Sequence, residues 1–423
     1  MRIAELLSKI IFVLLVCMVV IAPLPYGTVE AWWRAVFVCA VFGICILSIV
    51  EIAVTNSFRI NLPLVLLPLL ALTALAYVQS RTGISADFFQ TRFFALQLLA
   101  LTVFLGLLYR YGATEQRMRV LAYAVIGVAV VSAIFGMLRL TAQHETGFLL
   151  PLLKPNQGFA QFINKNHFAY LMEMAIGLVI GLTFVERSRQ KLPYFAFLAP
   201  LWVALVLSNS RGGILAMLTQ VVIASMLLLR WAKLRIALAA VLVAGVCAGT
   251  LWVGGDRLVN NLVPSSSEPA LSATNTRENA SRNEIWRATT KLFAAHPLLG
   301  AGLGGYWIAI TSYHDASGVL VPQEAHNDYL ELLASAGVIG LAIGVWFAVT
   351  VIRLARKNLW SSTGFVRALR LGAILGLSGV AVHSLFDFGL HLLGNAVVFL
   401  TLIMMATTQI ESRKVVDLNL QHH

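Results

Sequence analysis

Apolar runs of about 16 to 23 residues recur along the whole chain, and no other feature constrains the fold as strongly. A helix rises about 1.5 Å per residue, so such a run crosses a hydrocarbon core of about 30 Å. Within lipid the backbone has no water to bond to, which leaves the helix as the stable form for such segments. The runs fall at 10–25, 31–53, 60–78, 93–110, 119–138, 167–185, 193–208, 213–230, 235–254, 333–353, 369–386 and 393–409, about twelve in all. Composition agrees: 59% of the 423 residues are hydrophobic and 12% charged, too few polar groups to cover a water-facing surface.

The expected fold is therefore an all-α membrane protein, one polytopic domain over 1–423. Its parts are the first five helices (1–138), a loop (139–166), helices six to nine (167–253), a large loop or cap (254–332), the last three helices (333–410) and a tail (411–423). The first run lacks a small-residue cleavage site and another span follows at once, so it reads as a retained helix. The four cysteines, Cys17, Cys39, Cys45 and Cys247, all lie inside apolar runs, without metal-ligand spacing.

Lysine and arginine set the orientation, because cytoplasmic loops retain them. With both termini cytoplasmic, 19 of the 31 basic residues fall on that side. Of the other 12, five sit in the long 254–332 segment, to which the rule does not apply, so the short-loop comparison is 19 against 7. The net charge of +12 thus has a topological source, and nucleic acid is not an expected partner.

The outward segments hold the chemistry. Arg211 stands in the tight turn Asn209-Ser-Arg-Gly-Gly213. Residues 264–281 read as flexible, and a helix follows from Arg282 with Ile285, Trp286, Thr289, Leu292 and Phe293 on one face. Such a helix is expected to lie on the membrane surface. Arg282 falls within the apolar face and needs an anionic partner, whereas Arg287 and Lys291 lie opposite with Glu284. Guanidinium suits phosphate because its planar fork donates two parallel hydrogen bonds.

His326 stands where the long loop re-enters a helix, with Glu324 and Asp328 near enough in sequence to orient it. An imidazole titrates near neutrality and accepts a proton from a hydroxyl. His383 and Asp387 are spaced i, i+4, as a structural His–Asp pair would be, with His391 a turn further on. Glu173 lies about two turns into helix six, where an ionisable group must face the bundle interior. Asn164, Lys165, Asn166 and His167 open that helix, as plain caps or as anion ligands at its N-terminus. Gly300-Ala-Gly-Leu-Gly-Gly305 follows a helix rather than a strand and reads as a flexible turn, not a nucleotide loop.

Taken in order, Asn164-Lys-Asn-His-Phe-Ala169, Ser208-Asn-Ser-Arg-Gly-Gly213, Arg282-Asn-Glu-Ile-Trp286, Pro297-Leu-Leu-Gly-Ala-Gly-Leu-Gly304, His326-Asn-Asp-Tyr-Leu330 with Ala336-Gly337, and His383-Ser-Leu-Phe-Asp387 through Asn395 resemble the O-antigen ligase / O-antigen polymerase superfamily of bacterial inner-membrane glycosyltransferases. The resemblance covers roughly 155–400, and the first and last pieces look most like its exopolysaccharide-associated branch. It implies a glycosyltransferase-C-type bundle whose long periplasmic loop carries amphipathic helices. It implies a glycan donor on undecaprenyl pyrophosphate, handled at the periplasmic face without cofactor or metal. By the same resemblance His326 is the catalytic base and Arg211 and Arg282 grip the diphosphate, with Arg287 nearby. Asn164, Lys165, Asn166, His167, Glu324, Asp328, His383 and Asp387 are possible supporting residues. The acceptor stays open between lipid A-core in lipopolysaccharide synthesis, another repeat unit in polymerisation, and a protein hydroxyl. A twelve-helix secondary transporter is the alternative of another class; no internal repeat between 1–210 and 211–423 supports it.

Overall fold

A computed structural model describes residues 2–55, 62–145, 149–155, 157–184, 192–228, 271–314 and 322–409, with a few isolated positions between 233 and 244. The elements are α1 (Arg2–Ile21), α2 (Ala31–Thr55), α3 (Leu66–Arg81), α4 (Phe88–Gly112), α5 (Glu115–Ala142), α6 (Lys165–Leu182), α7 (Leu192–Leu207), α8 (Arg211–Leu228), α9 (Leu271–Ala295), the short α10 (Tyr306–Ala309), α11 (Asp328–Trp360), α12 (Gly364–His383) and α13 (Leu393–Thr407). Polar side chains start several of them. Asp87, Thr114, Asn164 and Asn327 each accept hydrogen bonds from backbone N–H groups that the first turn leaves unpaired.

Among the described residues, six helices are long and apolar enough to cross a membrane: α1, α2, α4, α5, α11 and α12. Four more, α3, α7, α8 and α13, are apolar but shorter. The chain is an all-α, multi-pass membrane protein. The expected run at 235–254 and the tail at 411–423 lie outside the described residues.

Helix α6 is the axis of the bundle, buried almost all round. Its tightest partner is α12. A Cβ at Gly177 would overlap the backbone of Gly376, and one at Gly181 would overlap that of Gly372. Each helix thus carries two glycines four residues apart, and the backbones touch where side chains would normally hold helices apart. Helix α13 covers the same pair, with Leu402 against Gly376.

Helix α11 is broken at Gly337, whose φ of 65° and ψ of −165° leave the helical region. The segment after α9 fills the break. Val338 N–H donates to Pro297 O (2.9 Å), Ala301 N–H to Ala334 O (3.0 Å), and Gly302 N–H to Ser335 O (2.9 Å). Gln79 of α3 locks the joint: its amide donates to Leu299 O (2.5 Å) and Ser335 O (2.9 Å) and accepts from Leu303 N–H (3.0 Å). The glycine stretch read as a flexible turn is therefore a packed plug. Gly300 and Gly337 each sit where a Cβ would overlap the other segment's backbone.

Two further expectations change. Helix α9 starts at Leu271 rather than at Arg282. Nor does its apolar face lie on lipid: Ala288 and Leu292 pack with Tyr306, Ile310, Ala325 and Ala334, and the Thr289 hydroxyl meets the Tyr306 hydroxyl at 2.6 Å. Protein satisfied that face before the membrane could.

Gly181→Leu tests the helix crossing. The obstacle is backbone rather than a movable side chain, so α6 and α12 must separate. Loss of a monodisperse species in detergent is expected, since overpacking alone costs about 1–3 kcal/mol or more. A well-behaved variant with wild-type melting temperature would show that the two helices do not touch there.

Candidate functional site

The N-termini of α6, α8 and α11 meet the C-terminus of α12 at one end of the bundle. There the chain turns from α12 into α13 through residues 384–392, and this turn carries Asp387, 1% exposed at its side chain. Four polar groups surround the Asp387 carboxylate. His326 Nδ1 lies 3.5 Å from Oδ1 and His167 Nε2 3.9 Å from it. Arg282 lies 3.9 Å from Oδ2, to which the Asn166 amide donates a hydrogen bond. Burial alone would push this carboxyl up; the His326 contact and the charges of the imidazoles and Arg282 outweigh that and hold it far below the usual carboxylate range.

Phe388 wedges between the imidazoles edge-on, 4.7 Å from His167 and 4.9 Å from His326 between ring centres. Its backbone N–H donates to Asp387 Oδ1 at 2.9 Å. His326 Nδ1 is buried while the side chain as a whole is 29% exposed, so the ring offers its other edge to the surface.

The backbone at His326 has φ of 51°, a conformation few non-glycine residues adopt. It is held from three sides. Trp286 Nε1 donates to Ala325 O (2.9 Å), Glu331 accepts from Ala325 N–H (2.7 Å), and Asp328 N–H donates to Ser384 O (3.0 Å). The apolar face of α9 thus carries both an anchor for the histidine loop, Trp286, and the arginine beside Asp387, Arg282.

A second cluster adjoins the first. His391, in the turn before α13, lies 3.1 Å from Glu324, 3.4 Å from Asp328 and 3.5 Å from Glu331. Burial favours the neutral ring, but three carboxylates outweigh it and raise the His391 imidazole well above its ordinary range. Glu324, despite burial, is lowered by the same pairing. Glu324, Glu331 and His391 also hold donor atoms within 4.8 Å of one another, a set suited to a divalent cation. The contacts of the three carboxylates with the His391 ring also bring these groups together.

The sequence pairings are thereby corrected. Glu324 and Asp328 meet His391, not His326; Asp387 is the carboxylate beside His326. The His383 side chain does not pair with that of Asp387, although Asp387 N–H still donates to His383 O (3.2 Å) where α12 ends. It pairs with Glu173, Nδ1 to Oε2 at 3.0 Å, deep between α6 and α12. Asn164 is the cap of α6, accepting from Asn166 N–H at 2.8 Å, and Lys165 is half-buried in the first turn. Arg211 begins α8, whose preceding Ser210 donates to Asn166 Oδ1 (2.8 Å) and accepts from Gly213 N–H (3.3 Å). Arg287 is exposed while Ile285, Ala288 and Thr289 around it are buried, so it faces away from Arg282. Sequence reasoning passed over Phe388, Glu331, Ser210 and Gln79. Only Glu331 carried a signal, as a carboxylate one helical turn past Asn327.

Residues 195–345 match the O-antigen ligase family. The match takes in Arg211, Arg282, the plug segment and His326, and it bears out the resemblance to the O-antigen ligase / polymerase superfamily. It covers less than half of the chain and stops before His383, Asp387 and His391. No curated protein matches the chain.

The His391 cluster makes a signed prediction. A raised folded-state value means that its contribution is fully present below the ordinary imidazole range and is lost as pH rises through the raised value. The melting temperature of the wild type should therefore fall on the alkaline side of neutrality, and the difference from His391→Gln should shrink as it does. A pH-independent difference would show that folding does not raise the His391 imidazole.

Proposed function

We propose that the chain is a glycosyltransferase that moves a glycan from undecaprenyl pyrophosphate to an acceptor hydroxyl. Supporting this reading are the family match and one geometric fact: His326 and Arg282 approach opposite oxygens of a single buried carboxylate. A base and an arginine are the two groups such a transfer needs, because the diphosphate leaving group already carries the driving force. In the proposal about twelve helices form a glycosyltransferase-C-type bundle in a bacterial inner membrane. Both termini are cytoplasmic, and the Asp387 end faces the periplasm.

The reaction is a single displacement. Asp387 accepts from His326 Nδ1–H, which fixes the tautomer and leaves the other ring nitrogen as base. The present 3.5 Å separation shortens when substrate closes the site. That nitrogen takes the acceptor hydroxyl proton, and the oxygen attacks the anomeric carbon from the face opposite the diphosphate. The bond from carbon to phosphate oxygen breaks, the configuration inverts, and the diphosphate leaves on its polyprenyl chain. Arg211 and Arg282 neutralise the charge that develops on it. Arg287, facing away, contributes only longer-range positive charge. His326 then returns its proton to water. Asn166 and His167 hold the carboxylate rather than the phosphate. No metal takes part, and the acceptor is a sugar of lipid A-core or of another surface glycan.

His326→Ala and Arg282→Ala are each expected to lower transfer from undecaprenyl-pyrophosphate glycan by about 10²–10³ while folding normally. Near-wild-type turnover by His326→Ala would remove the base from the mechanism. EDTA should leave the rate of the pure protein unchanged; loss restored by a divalent cation would assign the Glu324–Glu331–His391 set a metal and overturn the metal-free scheme. A ladder formed from a single-repeat donor without added acceptor would make the protein a polymerase rather than a ligase.

A further inference from the structure

The mechanism leaves the most deeply buried ionisable pair, Glu173 with His383, unused. Glu173 and His383 are 0% and 1% exposed at their side chains, inside the α6–α12 contact. Ionisable groups at such depth are costly, and they persist where they do something. Tyr170 stacks on the imidazole at 4.2 Å between ring centres. Gln220 of α8 donates to Glu173 O at 2.8 Å. The other ring nitrogen, Nε2, faces α8: a Cβ built on Gly212 would lie 2.5 Å from it. Gly212 follows Arg211, the first residue of α8.

We propose that Glu173 and His383 are positioning residues for the diphosphate arginine, Arg211; this rests on the proposed function above. The Glu173 carboxylate accepts Nδ1–H of His383, which leaves Nε2 as an acceptor aimed at the start of α8. The first N–H groups of a helix have no partner within it and carry its positive end. An acceptor at that point therefore fixes where α8 begins, and with it the direction of Arg211. From the other side Ser210 holds the same turn and, through Asn166, joins it to Asp387. In this proposal the start of α8 is held from two sides, by the Ser210 hydrogen bonds that lead through Asn166 toward Asp387 and by the His383 ring packed against Gly212. Gly212 is required because any Cβ would occupy the space of the imidazole.

The test uses full-length protein with inorganic pyrophosphate as the probe, read as its dissociation constant and its inhibition of transfer. Breaking one partner strands the other, so the pair is replaced together by Glu173→Leu with His383→Phe, a change that buried ion pairs often tolerate. A second variant, Gly212→Ala, leaves the pair intact and favours the helix by propensity, but presses on the ring. Both are expected to weaken pyrophosphate binding roughly tenfold, the equivalent of one lost hydrogen bond. Both should raise KM for the donor and leave KM for the acceptor and the pH profile of His326 unchanged. Glu173→Gln, which still accepts from Nδ1–H, should restore most of the binding. Folded variants that bind pyrophosphate like wild type would overturn the positioning role. Arg211→Ala serves as the control. If it too leaves pyrophosphate binding unchanged, the diphosphate reading itself fails; if it weakens binding while the other variants do not, only this inference fails.

Discussion

Backbone contact between α6 and α12 is the constraint from which the candidate site follows. Because Gly177 and Gly181 meet Gly376 and Gly372 without side chains between them, the two helices have one register and one separation. That register brings Glu173 opposite His383. One to two turns further along, it brings Asn166 and His167 to Asp387. Without a hydrophobic driving force between helices in lipid, close packing of small residues is what remains to fix such a register. The polar pairs then add direction. An Asp387 displaced by an ångström would lose the Asn166 bond and both imidazole contacts together.

His326 depends on a different device. A continuous α11 would carry its first turn wherever the membrane-crossing part pointed. The break at Gly337 uncouples them, and the 297–303 plug with Gln79 sets the new direction by pairing the backbone groups the break exposes. Non-helical backbone inside a helical bundle needs its polar groups satisfied by protein, and the plug supplies the partners here. The unusual φ at His326 is retained because Trp286, Glu331 and Ser384 over-determine the loop.

Much of this was legible in the sequence, and the misreadings share a cause. The all-α membrane character, the cap at Asn164 and the need of Arg282 for an anionic partner rest on local rules, and these hold; of the twelve apolar runs, six are helices long enough to span and four are shorter helices among the described residues. The pairings failed because spacing was taken as contact. His383 and Asp387 are i, i+4 on paper, yet the helix ends between them. Glu324 and Asp328 flank His326 in the chain, yet the strained turn points its ring elsewhere, and His391 arrives from another segment. The glycines at 300–305 looked mobile because glycine serves both loose turns and close backbone approach; only the broken stretch of α11 at 334–338 tells the two apart. The spacing Gly177-x-x-x-Gly181 and Gly372-x-x-x-Gly376 was there to be read as a helix contact, though not which helix would meet which.

The charge balance of the site bears on how donor and base communicate. Without substrate, Arg282 has a partner in Asp387, the same carboxylate that faces His326. On the proposed mechanism, an arriving diphosphate draws the guanidinium toward itself, and Asp387 loses one of the positive charges that hold it ionised. The carboxylate then has more of its field to give to the His326 imidazolium that forms when the acceptor hydroxyl is deprotonated. A base strengthened by the donor is useful in an enzyme whose acceptor is not water, since proton abstraction is then favoured only when there is something to transfer. On that mechanism the coupling needs no moving domain, only one carboxylate shared between the arginine proposed to bind phosphate and the histidine proposed to take the proton.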